Sequence, residues 1–119
     1  MQEAFDLDRL TVYVSSTSEQ GVVDADTRIT FSQRGGRVLG RYRGGRVRRG
    51  VLVGGVSGAA LAFRYLQVED SGEIHGGRSR CEISRTPEGR LRILERFEWT
   101  TRMGRGVNVF DELPAAGLA

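Results

Sequence analysis

Short runs of alternating apolar and polar residues dominate the chain. In Thr27-Arg-Ile-Thr-Phe-Ser-Gln33, Ile29 and Phe31 share one parity while Arg28 and Thr30 share the other, which is the period of a half-buried strand. The pattern recurs and predicts eight strands, at roughly 9–15, 25–33, 37–43, 46–54, 59–68, 73–85, 90–101 and 106–112. Turn signals separate them. Gly35-Gly36, Gly44-Gly45 and Gly54-Gly55 fit two-residue hairpins, which need positive φ. Ser57-Gly58, Glu69-Asp-Ser-Gly72, Thr86-Pro-Glu-Gly89 and Met103-Gly-Arg-Gly106 mark further turns. No segment has a helical period; the best helix candidates are the short termini, about residues 4–9 and 111–117.

Eight short antiparallel strands in chain order fit an all-β fold, a single small up-and-down barrel that closes on itself and so leaves no exposed edge. A two-sheet β-sandwich is the alternative. At about eight strands a barrel interior is filled by side chains or holds one small ligand. A length of 119 residues suits one domain, residues 1–119, with short irregular or helical termini.

The arginines raise a question of their own. The stretch RGGRVLGRYRGGRVRR, residues 34–49, has the look of an RGG nucleic-acid tract. Its apolar residues alternate, however: Val38 and Tyr42 share the parity of Gly40, with Arg37, Arg41 and Arg43 on the other. Past the turn, Val47, Val51 and Val53 can face inward and Arg46 and Arg48 outward, with Arg49 breaking the pattern. The tract therefore reads as a hairpin with solvated arginines. The sequence contains no lysine, and between Thr27 and Val68 there are nine arginines and no Asp or Glu. A face of strong positive potential follows, suited to an acidic partner.

Candidate chemistry lies on the inward parities. Leu61, Phe63, Tyr65 and Gln67 line one face of the fifth strand; Leu91, Ile93, Glu95, Phe97 and Trp99 line one face of the seventh. Glu95 is the anomaly, a carboxylate inside an apolar stripe. Burial of an unpaired carboxylate is costly and raises its pKa, which suits a general acid or base or a ligand's polar anchor. The structural alternative is that Glu95 meets an arginine or a ring of hydroxyls. Gln67, Ser79 and Tyr65 are its expected neighbours, and with Tyr42, Phe63, Phe97, Trp99 and Asn108 they make an apolar cavity with a few convergent polar groups. Trp99 could stack on a ligand, but a tryptophan in a strand reads first as core.

Cys81, the single cysteine, reads as a small buried hydrophobe, and with His75 the single histidine no Cys-His pair or cysteine zinc site is expected. His75 is expected at a rim. The Arg102–Gly106 turn, followed by Asn108, offers backbone amides to an anion but reads more simply as the last hairpin turn. No Walker A loop, dinucleotide fingerprint, Gly-x-Ser-x-Gly elbow or His-Glu-x-x-His motif is present, so no cofactor or metal is expected. The acidic start Met-Gln-Glu-Ala-Phe-Asp and the lack of a long apolar run predict no membrane span and a cytoplasmic home.

The order GRYRGGRVRRGVLVG, FRYLQ, GEIHGGRSRCE and GRLRILERFEWTTRMGRG resembles small bacterial proteins that often carry the label N-acetylglutamate synthase. The likeness spans roughly residues 25–112, and its most specific part is Tyr65-x-Gln67 with Glu95-x-x-x-Trp99. The label implies an acetyl-CoA-dependent acyltransferase, which needs an Arg/Gln-x-x-Gly-x-Gly/Ala loop opening a helix. Arg102-Met-Gly-Arg-Gly106 has a different spacing and no helix to follow it. The chain instead looks like a miniature calycin. The expected function is the binding of an apolar or amphipathic small molecule in the barrel, with Glu95, Gln67 and Tyr65 orienting its polar groups. The alternatives are a cyclase or isomerase using the same cavity, and an arginine-rich nucleic-acid- or protein-binding module, of which the nucleic-acid form is the less expected. A homodimer through the strand faces is also compatible with the pattern.

Overall fold

The computed structural model describes residues 5–114. Eight strands follow in chain order: β1 (Thr11–Ser16), β2 (Arg28–Arg34), β3 (Arg37–Gly44), β4 (Val47–Ser57), β5 (Ala60–Glu69), β6 (Ile74–Arg85), β7 (Leu91–Trp99) and β8 (Arg105–Glu112). Each pairs antiparallel with the next, and β8 returns to β1, so the sheet closes into a barrel. The barrel expectation holds and the sandwich does not. The helices expected at the termini are absent among the described residues: 5–10 form a turn-containing loop, 111 and 112 complete β8, and 113 and 114 are irregular. The rest of both segments lies outside the described residues.

Inward residues build one continuous core, with Leu7, Val12, Leu52, Leu61 and Ile93 almost wholly buried. The interior follows a simple rule of size. Each inward aromatic from β2 to β7 sits directly opposite a glycine: Phe31 faces Gly40, Tyr42 faces Gly50, Phe63 faces Gly54, Tyr65 and Trp99 both face Gly77, and Phe97 faces Gly106. At Gly50 and Gly77 a Cβ would collide with the rings of Tyr42 and Tyr65. Rings laid over glycines fill a narrow barrel without clash, as in other sheets where an aromatic covers a strand glycine.

Two details of the hairpins differ from the sequence reading. Gly54-Gly55 is not a turn; it lies within β4, which runs on to Ser57, and the reversal falls at Gly58, whose φ is 58°. Gly54 instead lies opposite Phe63, where a side chain would strike the Phe63 Cα and Cβ, while Gly55 is exposed on the outer face beside the Gly36 carbonyl. Secondly, Val51 and Val53 point outward, at 40% and 60% exposure, while Gly50 and Leu52 point in. A register shift between Val47 and Arg49 is the cause, because one extra residue inverts the parity beyond it. Arg49, which broke the alternation, marks that bulge. The arginine tract itself is ordered hairpin, with Val38 and Tyr42 inside and Arg37, Arg41 and Arg43 outside.

One end of the barrel is closed by residues 5–10, where Leu7 is fully buried and Phe31 and Leu10 are joined through their backbones. The other end carries the connections 17–27, 45–46, 70–73 and 100–104. No helix among the described residues is long and apolar enough to cross a membrane.

Candidate functional site

Midway down β7, Glu95 points into the barrel and is 4% exposed. Ser79 Oγ donates to its Oε2 at 2.6 Å and Asn108 Nδ2 donates to its Oε1 at 2.7 Å. Among the described residues no arginine or histidine bonds to it, so the carboxyl is held by neutral donors from the two flanking strands. Burial pushes its pKa above the usual glutamate range, and the two hydrogen bonds only partly oppose this. Burial, reinforced by the Glu95 charge, likewise pushes the phenols of Tyr42 and Tyr65 up.

Asn108 has a second duty. Its Oδ1 accepts from Thr17 Oγ1 at 2.6 Å, which ties the carboxyl to the loop between β1 and β2. That loop folds across the barrel end. Trp99 Nε1 donates to Gln20 O at 2.9 Å, Arg105 N to Gln20 Oε1 at 2.9 Å, and Val107 N to Ser18 Oγ at 3.1 Å. Val22, next along, is buried although it belongs to no strand.

A second polar chain lies at the same end. Tyr42 OH donates to Gln67 Oε1 at 2.9 Å, and Gln67 Nε2 donates to Glu69 Oε2 at 2.9 Å. Arg102 Nη2 reaches the same Glu69 oxygen at 2.7 Å, with its guanidinium carbon 4.6 Å from the Trp99 ring centroid. Arg102 thus covers the rim, stacked on Trp99 and paired with a carboxylate.

Between these chains remains a cavity of about 30 Å³, lined mainly by aromatic and aliphatic side chains and by Gln67, Glu95 and Asn108. That is room for a water or two. Gly21, Val22 and Val23 of the loop form part of the wall. Every buried side-chain nitrogen and oxygen among the described residues has a partner, so the interior is self-satisfied in this form.

Of the residues singled out in the sequence, Tyr42, Phe63, Tyr65, Gln67, Glu95, Phe97, Trp99 and Asn108 all line this cavity, and Ser79 stands behind Glu95. Gln67 is not a neighbour of Glu95 by hydrogen bond; it serves Tyr42 and Glu69. Cys81 is buried opposite Glu95, and burial followed by that charge pushes its thiol pKa up. His75 is half-buried, bonded to Thr101 and Glu73 and in a T-shaped ring contact with Trp99. The Arg102 side chain turns to Glu69 and Trp99, while Arg46 and Arg48 of the hairpin reach the carbonyls of Gly21 and Asp70.

The sequence reading missed Thr17, Gln20, Gly21, Val22, Val23 and Glu69, and set Arg102 in a turn rather than over Trp99. One signal was available: Val22-Val23 is an apolar pair in a stretch otherwise read as loop. A pair of that kind must be buried against something.

A closed eight-stranded barrel with a polar cluster in an aromatic interior is a small-molecule binding architecture. A family model described as avidin-like protein matches residues 5–113, and the chain belongs to that family. The chain itself matches none of the curated proteins and none of the solved structures.

Proposed function

We propose that this protein binds a small amphipathic molecule that enters through the end covered by residues 17–27 and presents a hydrogen-bond-donating nitrogen to Glu95. One observation carries the reading: the only carboxyl in the cavity wall, among the described residues, is held by two neutral donors. It therefore has spare acceptor capacity and no counter-charge. Phe63, Phe97 and Trp99 supply apolar walls, and Gln67 and Tyr65 orient further polar groups. Membership of a family of small-molecule-binding barrels supports the same reading. Because about 30 Å³ is too little for any organic ligand, binding requires Val22 and Val23 to move out. The loop is held mainly by hydrogen bonds to Asn108, Trp99 and the start of β8, which a ligand can replace.

Trp99 is the single tryptophan, and its indole N–H holds the loop. Its emission therefore reports entry. Titration with amphipathic amines, ureas and biotin, against carboxylic acids of matched size, should give a saturable change and a raised melting temperature for nitrogen donors. Glu95→Gln should weaken that binding at least tenfold. A bare native mass from the source cells, with no response to any of these compounds, would overturn the reading.

The second reading is a cyclase or isomerase in the same cavity, and the upward-shifted Glu95 favours it. A carboxyl that burial makes hold its proton above the usual glutamate range suits general acid catalysis in a dry aromatic site. In that case Glu95→Gln abolishes turnover while retaining most of the binding.

A further inference from the structure

The outer face of the barrel carries arginines that the fold does not use. Cross-strand register places Arg64 directly opposite Arg78, and Arg80 directly opposite Arg96. Like charges so placed destabilise a sheet. Arg78 is answered by Glu98, with Nε and Nη2 both on Oε1, at 2.9 and 2.7 Å. Among the described residues Arg64, Arg80 and Arg96 have no ion pair or side-chain hydrogen bond. With Arg105 they wall a surface groove of about 700 Å³ whose floor includes Gly54 and Ala62.

Two rows run across the strands here. One reads Leu39, Val53, Arg64, Arg78, Glu98, Arg105; its neighbour reads Arg37, Gly55, Ala62, Arg80, Arg96, Val107. The aliphatic end is exposed, with Val53 at 60% and Leu66 beside it at 51%. The surface thus offers guanidiniums and bare aliphatic side chains side by side.

We propose that this face docks an acidic, extended segment of a partner protein, in which aliphatic residues alternate with carboxylates. Guanidinium pairs carboxylate bidentately, and Leu39, Val53 and Leu66 gain burial that a wholly polar polyanion cannot provide. The groove runs from Val53 on β4 to Arg105 on β8, four strand spacings or about 19 Å along the barrel surface, which is roughly six extended residues. Nucleic acid fits less well. It would leave the aliphatic strip uncovered, and among the described residues none of the exposed large hydrophobics is an aromatic on which a base could stack. A bilayer is flat where this site is a groove.

The test is fluorescence anisotropy with a labelled eight-residue peptide of alternating Glu and Leu. The comparison probes are oligoglutamate of equal charge, a thymidine oligonucleotide, and phosphatidylserine vesicles by flotation. The Glu-Leu peptide should bind most tightly and weaken with salt. Arg64→Glu with Arg80→Glu should lower its affinity at least tenfold while raising the melting temperature, because each new carboxylate then faces an arginine, Arg78 or Arg96. Val53→Ser with Leu66→Ser should weaken the Glu-Leu peptide and spare oligoglutamate. The proposal falls if the oligonucleotide or the vesicles bind more tightly than the peptide, or if oligoglutamate binds equally well. It falls also if the charge-reversed protein binds unchanged, or if the wild-type chain is a dimer that Val53→Ser dissociates.

Discussion

The side-chain amide of Asn108 donates to Glu95 and accepts from Thr17, so one residue joins the buried carboxyl to the loop that covers it. Replacement by alanine removes one of two donors to Glu95 and frees Thr17. The expected cost is about 1–3 kcal/mol of stability, the range for a buried group left unsatisfied. Chemical denaturation checks the cost, and amide exchange at residues 17–23 should quicken more than exchange elsewhere.

Glu95 sets a slope in the pH dependence of stability. Its folded pKa lies above the ordinary value of 4.5, so between those two values the folded state binds more protons than the unfolded chain. Stability therefore falls as pH rises through that window. Asp111 acts in the opposite sense. The bond from Arg92 lowers its folded pKa below 3.8, and its contribution is lost as pH falls through the folded value. Melting temperatures from pH 3 to 9 should pass through a maximum, and Glu95→Gln should remove the decline on the alkaline side while leaving the acid side intact.

Gly50→Ala should displace the Tyr42 ring, because the added methyl meets the ring across the strand pair. The expected loss is about 1–3 kcal/mol, as for other overpacked cores, and Tyr42 should release Gln67. Pairing the substitution with Tyr42→Leu should recover most of the loss, which a double-mutant cycle measures.

Cys81 should be unreactive in the native state, since the thiolate is the nucleophile and burial beside Glu95 holds the thiol protonated. A thiol reagent should label it only after unfolding. Rapid native labelling would mean that the β6–β7 region opens to solvent.

The barrel was legible because alternation is local and each strand carries its own copy. Glu95 was legible as a charge in an apolar stripe. Val51 and Val53 were read to the wrong face because a bulge is a single inserted residue, and a period of two cannot reveal where it falls; only the misplaced Arg49 betrayed it. The loop residues Thr17, Gln20 and Val22 stayed hidden for a different reason. The bonds that hold the loop run to Asn108, Trp99 and Val107, between 79 and 91 residues away, and no local pattern encodes a contact across the chain.

The glycine-backed rings make the volume of this interior an adjustable quantity. Each ring occupies space that its glycine partner vacates, and Tyr42, Phe63, Tyr65, Phe97 and Trp99 line the cavity that holds Glu95, so exchanging one of these five for a smaller side chain enlarges that cavity. The barrel can therefore change the size of what it accommodates one residue at a time, keeping its polar anchor fixed. In this scaffold the size of the interior is set largely by the apolar rings and their glycines, and its polar anchor by Glu95 with Ser79 and Asn108.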